Sequence, residues 1–235
     1  MLQRVVLPFL LVLAVLSGVS AIVSTQTKTD REAVSERSVP TVVLDAGHGG
    51  EDGGTVGVNG LLEKDVNLDI ALRLRDLLAA NGIPVVMTRT EDVLLYDRNA
   101  DYKGRKKSLD LAARRQIAED TPDCIFVSIH MNSFPDPRYD GLQVWYSPNN
   151  PKSEVIADTV QKTAKAVLQP DNERGIKAAT DAIYLLHRLN VPAVLVECGF
   201  LSNPAEAEKL ATPDYRRDVA FTLFLAVSEV CRGTD

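Results

Sequence analysis

The chain has 235 residues, of which 45% are hydrophobic and 25% are charged, a composition typical of globular proteins. This length fits one domain with accessory segments. The formal net charge of −6 argues against a nucleic-acid partner, because nucleic acids favour a basic protein surface. The three cysteines, Cys124, Cys198 and Cys231, are widely separated, which argues against a disulfide framework or a cysteine-based metal site.

An uncharged apolar segment, Val5 to Val23, follows Arg4 near the N-terminus and is long enough to cross a bilayer. The positive charge before it favours export of the rest of the chain. We therefore predict that residues 1–23 are a membrane anchor or, because Val19-Ser20-Ala21 resembles a cleavage site, a signal peptide. Residues 24–40 are polar without apolar periodicity, which predicts a flexible linker. Both alternatives place the remainder outside the cytoplasm.

From Thr41 onward, strand-like and helix-like segments alternate. This pattern predicts a single α/β domain over residues 41–235, with a largely parallel twisted sheet flanked by helices. The predicted strands are 41–45, 84–88, 124–130, 142–146, 183–186 and 193–197, and the predicted helices are 62–81, 109–119, 153–168, 204–211 and 215–230. Segment 142–146 alternates in hydrophobicity and is expected at a sheet edge. Segment 91–107 is expected to be a surface loop that borders a groove, and its basic cluster Arg105-Lys106-Lys107 is expected to be a solvated loop or helix start.

Two of the predicted strands lead directly into a histidine, His48 after the first and His130 after the third. Open α/β sheets bind ligands at the carboxyl ends of their strands. Glu63 opens the helix that follows His48, and a helix N-terminus favours a charged carboxylate. Two imidazoles and one carboxylate form the ligand set of many hydrolytic zinc sites. We therefore predict a zinc site made by these three residues.

Four further polar residues are candidates for a role at or near this site. Glu197 ends a buried apolar strand, where a carboxylate is costly unless it is paired or functional; it is predicted to form a buried ion pair or to act as a general base. Asp45 is an alternative metal ligand, but its position better suits the orientation of a ligand histidine. Asn132 is predicted either to bind substrate or to cap its own loop. His187 lacks such neighbours and is expected at the surface.

Several ordered motifs resemble the zinc-dependent N-acetylmuramoyl-L-alanine amidases of the Amidase_3 type. They are Asp45-Ala46-Gly47-His48-Gly49-Gly50, Glu63, Thr88-Arg89-Thr90-Glu91-Asp92, Ser128-Ile129-His130-Met131-Asn132-Ser133 and Val196-Glu197-Cys198-Gly199-Phe200-Leu201-Ser202-Asn203. The resemblance implies zinc held by His48, Glu63 and His130, with Glu197 as the acid/base. It also implies hydrolysis of the amide that joins the lactyl group of N-acetylmuramic acid to L-alanine in peptidoglycan. Ala46 and Gly53 replace prolines common in the family, and Glu119 replaces an asparagine; none is a predicted ligand.

Within this family the chain is similar to the germination-specific amidases of endospore formers, which act on spore cortex during muramic-lactam formation. The short chain, the single N-terminal apolar segment, the absence of wall-binding repeats and the Tyr102–Arg115 segment carry this similarity. The loop between His130 and Gly141 is too short for the inhibitory helix of division amidases. The implied partners are cortex-type peptidoglycan and, through the N-terminal segment, the membrane. Whether an activating protein partner is needed stays open.

Two other functions stay open at the level of sequence. One is a catalytically silent module that binds peptidoglycan in the same groove, and the other is a zinc peptidase that cleaves the peptide stem. The complete set of four polar side chains favours an enzyme over the silent module. The aromatic residues Tyr96, Tyr102 and Trp145 are expected to pack in the core or at a rim rather than to line a glycan groove.

Overall fold

The computed structural model describes residues 39–97, 99 and 101–233. In chain order its elements are β1 (Thr41–Ala46), α1 (Glu63–Ala80), β2 (Val85–Met87), α2 (Lys106–Glu119), β3 (Cys124–Asn132), β4 (Gln143–Tyr146), α3 (Pro151–Val167), β5 (Lys177–Ala178), α4 (Tyr184–Arg188), β6 (Ala193–Phe200), α5 (Pro204–Ala211) and α6 (Pro213–Arg232). The predicted anchor, 1–23, and all but the end of the predicted linker, 24–40, lie outside the described residues. Among the helices listed above, none combines the length and hydrophobicity needed to cross a bilayer.

The strands form one sheet in the order β2-β1-β3-β6-β4-β5. β2, β1, β3 and β6 run parallel to their neighbours, whereas β4 runs antiparallel to β6 and β5 runs parallel to β4. This confirms the prediction of a single α/β domain with a mostly parallel sheet flanked by helices. Because the parallel strands are central, the carboxyl ends of β1, β3 and β6 meet at one edge of the sheet.

Helices cover both faces of the sheet, which explains why the central strands are apolar almost throughout. On β1, Val42 and Leu44 face the larger apolar layer, formed with α1, α3, α5 and α6. Val43 points to the other face, where a smaller layer is formed with α2 and α4. The alternation follows from the two-residue period of a strand. The domain therefore has helix, sheet and helix layers, with β1 and β3 held rigidly between the two helical layers.

Two predictions about secondary structure were wrong. Segment 183–186, predicted as a strand, begins the short helix α4, and Leu185 and Leu186 are buried in the smaller layer. A short apolar run does not show by its periodicity whether it is a strand or a buried helical turn. Segment 142–146 contains β4, but β4 is not an edge strand because β5 pairs with its outer side. The two residues of β5 are exposed and give no apolar pattern.

The three cysteines are free and buried, as expected for small hydrophobic residues in the core. Cys124 and Cys198 lie in β3 and β6, and Cys231 lies near the end of α6. The prediction that they form no disulfide framework agrees with this arrangement.

A buried ionic network fixes α2 against the end of β1. The Arg114 Nη1 atom donates to Asp45 Oδ1 at 2.6 Å, and Arg114 Nε donates to Asp110 Oδ2 at 2.7 Å. Asp45 also accepts from the hydroxyls of Ser128 and Thr88, at 2.6 and 2.8 Å. Burial alone would raise the pKa of Asp45, but Arg114 and Ser128 outweigh it and hold this pKa below its usual value. Asp45 is therefore ionised, and its charge is compensated inside the fold.

We predict that Arg114→Ala lowers the free energy of unfolding by about 3–5 kcal/mol, because it leaves two buried carboxylates without their cation. Arg73→Ala is the matched control, since Arg73 makes the same contact with Asp69 four residues earlier, at 3.0 Å, but on a side chain that is 36% exposed. Its cost is expected to stay below about 1 kcal/mol. Denaturant unfolding of both variants measures the difference, and equal costs would contradict the role of the network.

Candidate metal and catalytic site

His48 leaves β1 in an unusual backbone conformation. Its φ angle is +61°, in the left-handed region that non-glycine residues seldom occupy. The Arg114 guanidinium holds this turn from inside the fold, because Nη1 donates to the carbonyl of Ala46 and Nη2 to the carbonyl of His48, both at 2.7 Å. Strained backbone of this kind persists where the surroundings fix it, and it is common at functional sites. The imidazole is thereby aimed at the start of α1.

Glu63 is the first residue of α1, and its side chain is only 3% exposed. One carboxylate oxygen, Oε2, accepts from the backbone N–H of Thr55 at 2.8 Å, and the other, Oε1, accepts from the backbone N–H of Met131 at 3.0 Å. Burial opposes ionisation, but His130 and His48 outweigh it and hold the pKa of Glu63 well below its usual value. The carboxylate is therefore ionised and fixed from two sides.

The three residues predicted as a metal site lie together. Glu63 Oε1 is 2.9 Å from His130 Nδ1 and 3.3 Å from His48 Nε2. One potential ligand atom from each residue lies within 4.8 Å of the other two. The imidazole rings meet edge to face, with centroids 5.0 Å apart. Two imidazole nitrogens and a carboxylate oxygen in this arrangement could hold a divalent metal ion and suit zinc chemically.

Two glycines provide the space for this cluster. A Cβ atom on Gly47 would lie 2.3 Å from Cε1 and Nε2 of His130, and a Cβ atom on Gly54 would lie 2.5 Å from Glu63 Oε2 and 2.8 Å from His48 Cδ2. Both distances are far below van der Waals contact, so the ring and the carboxylate lie directly against glycine backbone. Gly54 also has a φ angle of +68°, which favours glycine. The glycine-rich loop is thus part of the site's shape.

A second carboxylate, that of Asp52, lies beside His48 on the side of the ring away from Glu63. The sequence analysis missed this residue. Asp52 Oδ1 lies 3.0 Å from His48 Nδ1, although the two atoms do not have the geometry of a hydrogen bond; the carboxylate charge favours a proton on Nδ1, which leaves Nε2 free to bind a metal. Burial opposes protonation of His48, but Glu63 and Asp52 outweigh it and raise its pKa. A carboxylate four residues after a candidate ligand was the available signal.

Asp45 does not have the role predicted for it. Its described hydrogen bonds go to Arg114, Ser128 and Thr88, and none goes to a histidine side chain. It acts on His48 only through the Arg114 guanidinium, which binds the His48 carbonyl. The prediction that Asp45 directly orients a ligand histidine was therefore wrong, because the strand turns sharply after Ala46 and carries the imidazole away from it.

Glu197 lies on β6 in register with His130 on β3 and lines the same cleft, an open depression of about 390 Å³. Its Oε2 atom is buried, and no hydrogen-bond donor within the described part of the chain reaches it. Burial raises the pKa of Glu197 to about 7, against the opposing effect of His130. The buried ion pair considered from the sequence is not formed among the described residues. A carboxyl group with such a pKa at the wall of the cleft could exchange a proton with a bound group.

Asn132 and Lys107 also line the cleft. Asn132 is the last residue of β3, and its Oδ1 accepts from the backbone N–H of Ser133 at 2.7 Å. The side chain therefore caps its own loop, which is one of the two roles predicted for it. Lys107 lies in the first turn of α2, with Nζ 3.6 Å from Asp52 Oδ2. Segment 105–107 was expected to be a solvated loop or helix start within a loop that borders a groove; the helix begins at Lys106, and the contact of Lys107 with the metal-site cleft was not foreseen.

The remaining candidates lie elsewhere. His187 is exposed on α4, as predicted. Trp145 packs against the smaller apolar layer, with Lys177 Nζ 5.2 Å from its ring centroid. Tyr96 and Tyr102 contact each other, with ring centroids 5.1 Å apart. These aromatic residues pack in the core or at a rim, as expected.

Comparison with known proteins identifies the class of the chain. Residues 42–229 match the N-acetylmuramoyl-L-alanine amidase family, Amidase_3, and the chain belongs to this family of enzymes. It is similar to the germination-specific N-acetylmuramoyl-L-alanine amidase of Bacillus subtilis (strain 168), with 36% identity over 186 residues that cover 79% of this chain and 77% of the relative. The resemblance drawn from the sequence motifs is thus confirmed, and so is the prediction of an amidase.

Solved structures agree with this assignment. The CwlD amidase from Clostridioides difficile, in complex with the GerS lipoprotein, has a TM-score of 0.78 and 35% identity, covering 83% of this chain and 100% of that chain. The amidase AmiC2 of Nostoc punctiforme has a TM-score of 0.69 and 30% identity, covering 82% of this chain and 97% of that chain. The fold described above is therefore the fold of these amidases.

We predict that Gly54→Ala weakens divalent metal binding by about 10–100-fold, the range found when groups that orient ligands are disturbed. The new Cβ would displace the Glu63 carboxylate and the His48 ring. Gly60→Ala is the matched control, because Gly60 also has a positive φ angle, +83°, but a Cβ there meets nothing within 4 Å. Competition with a chromophoric chelator measures the affinities. Equal affinities in the two variants would show that the glycine does not shape the site.

Proposed function

We propose that this protein is a zinc-dependent hydrolase that cleaves the amide between the N-acetylmuramic acid lactyl group and L-alanine in peptidoglycan. His48, Glu63 and His130 would hold the zinc ion. A zinc ion in such a site polarises a carbonyl group and lowers the pKa of water to about 7. The observation that supports this most directly is the convergence of three ligand atoms within 4.8 Å of one another, in a cleft that Glu197 also lines.

Glu197 is proposed as the general acid and base. With a pKa raised to about 7, it is close to equally ready to accept and to release a proton near neutral pH. The Glu197 carboxylate, which lines the cleft, would take one proton from the attacking water as the water oxygen bonds to the lactyl carbonyl carbon. The same carboxyl group would then deliver that proton to the alanine nitrogen as the carbon–nitrogen bond breaks. The products are a lactyl carboxylate and a free L-alanine amino group.

Asn132 is proposed to bind substrate. Its Oδ1 atom accepts from its own loop, which orients the side chain at the wall of the cleft. Because this hydrogen bond restricts the side chain to one rotamer, the NH₂ group of the side-chain amide has a fixed direction. A donor held in this way can bind a carbonyl of the substrate at a small cost in conformational entropy.

The biological setting is also part of the proposal. Residues 41–235 form the catalytic domain, and residues 1–23 act as a membrane anchor or signal peptide that places it outside the cytoplasm, where peptidoglycan lies. Similarity to a germination-specific amidase supports a role in spore cortex maturation with muramic-lactam formation. The CwlD amidase is described in complex with the GerS lipoprotein, which supports the use of a protein partner here.

One digestion experiment separates this function from the alternatives. Zinc-loaded protein is incubated with cortex-type and vegetative peptidoglycan, and the fragments are identified by mass spectrometry. An amidase leaves glycan strands with free lactyl carboxylates and complete peptide stems. A stem peptidase leaves alanine attached to the lactyl group, and a silent binding module leaves the wall intact. Either of the latter results would overturn the proposal.

We predict that Glu197→Gln reduces kcat by about 10²–10⁴-fold, because the amide side chain can no longer accept or donate the transferred proton. Bound zinc should be retained, since Glu197 is not among the three ligands. Glu208→Gln removes the same charge from an exposed position on α5 and should leave kcat unchanged. Release of amino groups from purified wall material gives the rates, and full activity of Glu197→Gln would remove its assignment.

We predict that His48→Ala and His130→Ala each lose stoichiometric zinc and, with it, activity, because two ligands seldom hold zinc at a catalytic site. The third histidine provides the control: His187→Ala changes an exposed side chain on α4 and should keep both. Metal content is measured by elemental analysis on folded protein, with circular dichroism to show that each variant is folded. Zinc retained at one equivalent in His130→Ala would exclude this residue as a ligand.

A further inference from the structure

Two exposed aromatic side chains stand beside the cleft. Phe134 and Tyr139, here called the aromatic pair, lie in the loop between β3 and β4, and Phe134 directly follows the cleft residue Ser133. Their ring centroids are 4.4 Å apart with planes inclined by 47°. Phe134 is 46% exposed and Tyr139 is 43% exposed. The pair therefore forms a continuous apolar surface at the margin of the site.

The aromatic pair is held in place by its surroundings. The backbone N–H of Phe134 donates to Ser202 Oγ at 3.0 Å, which ties the loop to the residues after β6. The Arg174 guanidinium lies 5.5 Å from the ring centroid of Tyr139 and 4.4 Å from that of Phe200, which is buried. The pair is thus a fixed surface supported from below, and little ordering entropy is lost when a ligand contacts it.

Exposed aromatic contacts of this kind are uncommon in the described part of the chain. Its exposed large hydrophobic residues include three aromatic ones, the aromatic pair and Phe221. Single exposed apolar side chains are normal on protein surfaces, whereas contiguous ones beside a cleft indicate binding. The third residue, Phe221, lies on α6, far in sequence from the cleft residues.

We propose that the aromatic pair is a sugar-binding subsite, which stacks a pyranose ring of the glycan strand next to the muramic acid residue whose amide is cleaved. The identity of this ligand rests on the proposed function. The C–H groups on a pyranose face carry partial positive charge and are attracted to the negative face of an aromatic ring. The charge of the exposed Arg138, beside Tyr139, is paired with Asp136 at 2.6 Å, so this neighbour does not select a charged ligand. A neutral sugar is therefore the component of the substrate that fits this surface.

The subsite predicts a dependence on substrate length. Phe134→Ala should raise KM for glycan strands that carry peptide stems by about 3–10-fold, the value of one aromatic stacking contact, with kcat unchanged. With a single N-acetylmuramoyl-peptide, which has no neighbouring sugar, KM and kcat should equal those of the unmodified protein. Phe134→Tyr keeps the ring and should restore the lower KM. Phe221→Ala removes an equally exposed ring, 46%, and should have no effect.

Binding of peptide-free glycan strands gives an independent measurement, because these strands carry no amide to hydrolyse. The Kd from titration calorimetry should rise about 3–10-fold in Phe134→Ala and not in Phe221→Ala. If the unmodified protein frees no L-alanine amino groups from wall material but binds these strands through Phe134, the proposed function fails and the subsite stands. If it is active and Phe134→Ala binds strands and cleaves both substrates normally, the subsite is wrong. A surface for a protein partner would give this second result.

Discussion

The Glu63 carboxylate is the group on which the site's geometry depends. It is almost fully buried, and an uncompensated buried charge costs several kcal/mol. Its compensation comes from the backbone N–H groups of Thr55 and Met131, from the imidazoles of His48 and His130, and from the positive end of the α1 dipole. These partners come from the turn that follows β1, the glycine-rich loop and β3. Satisfying one carboxylate therefore brings three separate parts of the chain together and leaves them arranged around a position suited to a cation.

Glu63 and Glu197 share one cleft but have opposite environments. Glu63 accepts hydrogen bonds at both oxygens, and its pKa is lowered. Glu197 has a buried oxygen without a donor among the described residues, and its pKa is raised to about 7. Two titratable groups whose pKa values are pushed apart in this way have different chemical tasks. The permanently charged Glu63 suits ligation, and the easily protonated Glu197 suits proton transfer.

The sequence was sufficient to predict the central part of this arrangement. His48, His130 and Glu197 could be placed together because parallel strands end at the same edge of a sheet, and Glu63 because a helix start favours a carboxylate. Asp52 and Lys107 were missed because their positions depend on how an irregular loop and the start of α2 fold against the cleft. Helix α4 and strand β5 were missed because they have only five and two residues. Segments this short contain too few residues to show a helical or strand-like pattern of apolar side chains.

The division of the site between strands and loops has a consequence for specificity. Glu197 and His130 lie on paired strands in the centre of the sheet, and the ionic network of Arg114 holds the turn that carries His48. The groups proposed to contact the rest of a large substrate, Asn132 and the aromatic pair, lie at a strand end or in a loop, where changes in sequence disturb packing least. Affinity for a polymer can thus change through the loop between β3 and β4 without moving the reacting groups, because the strands position those groups independently.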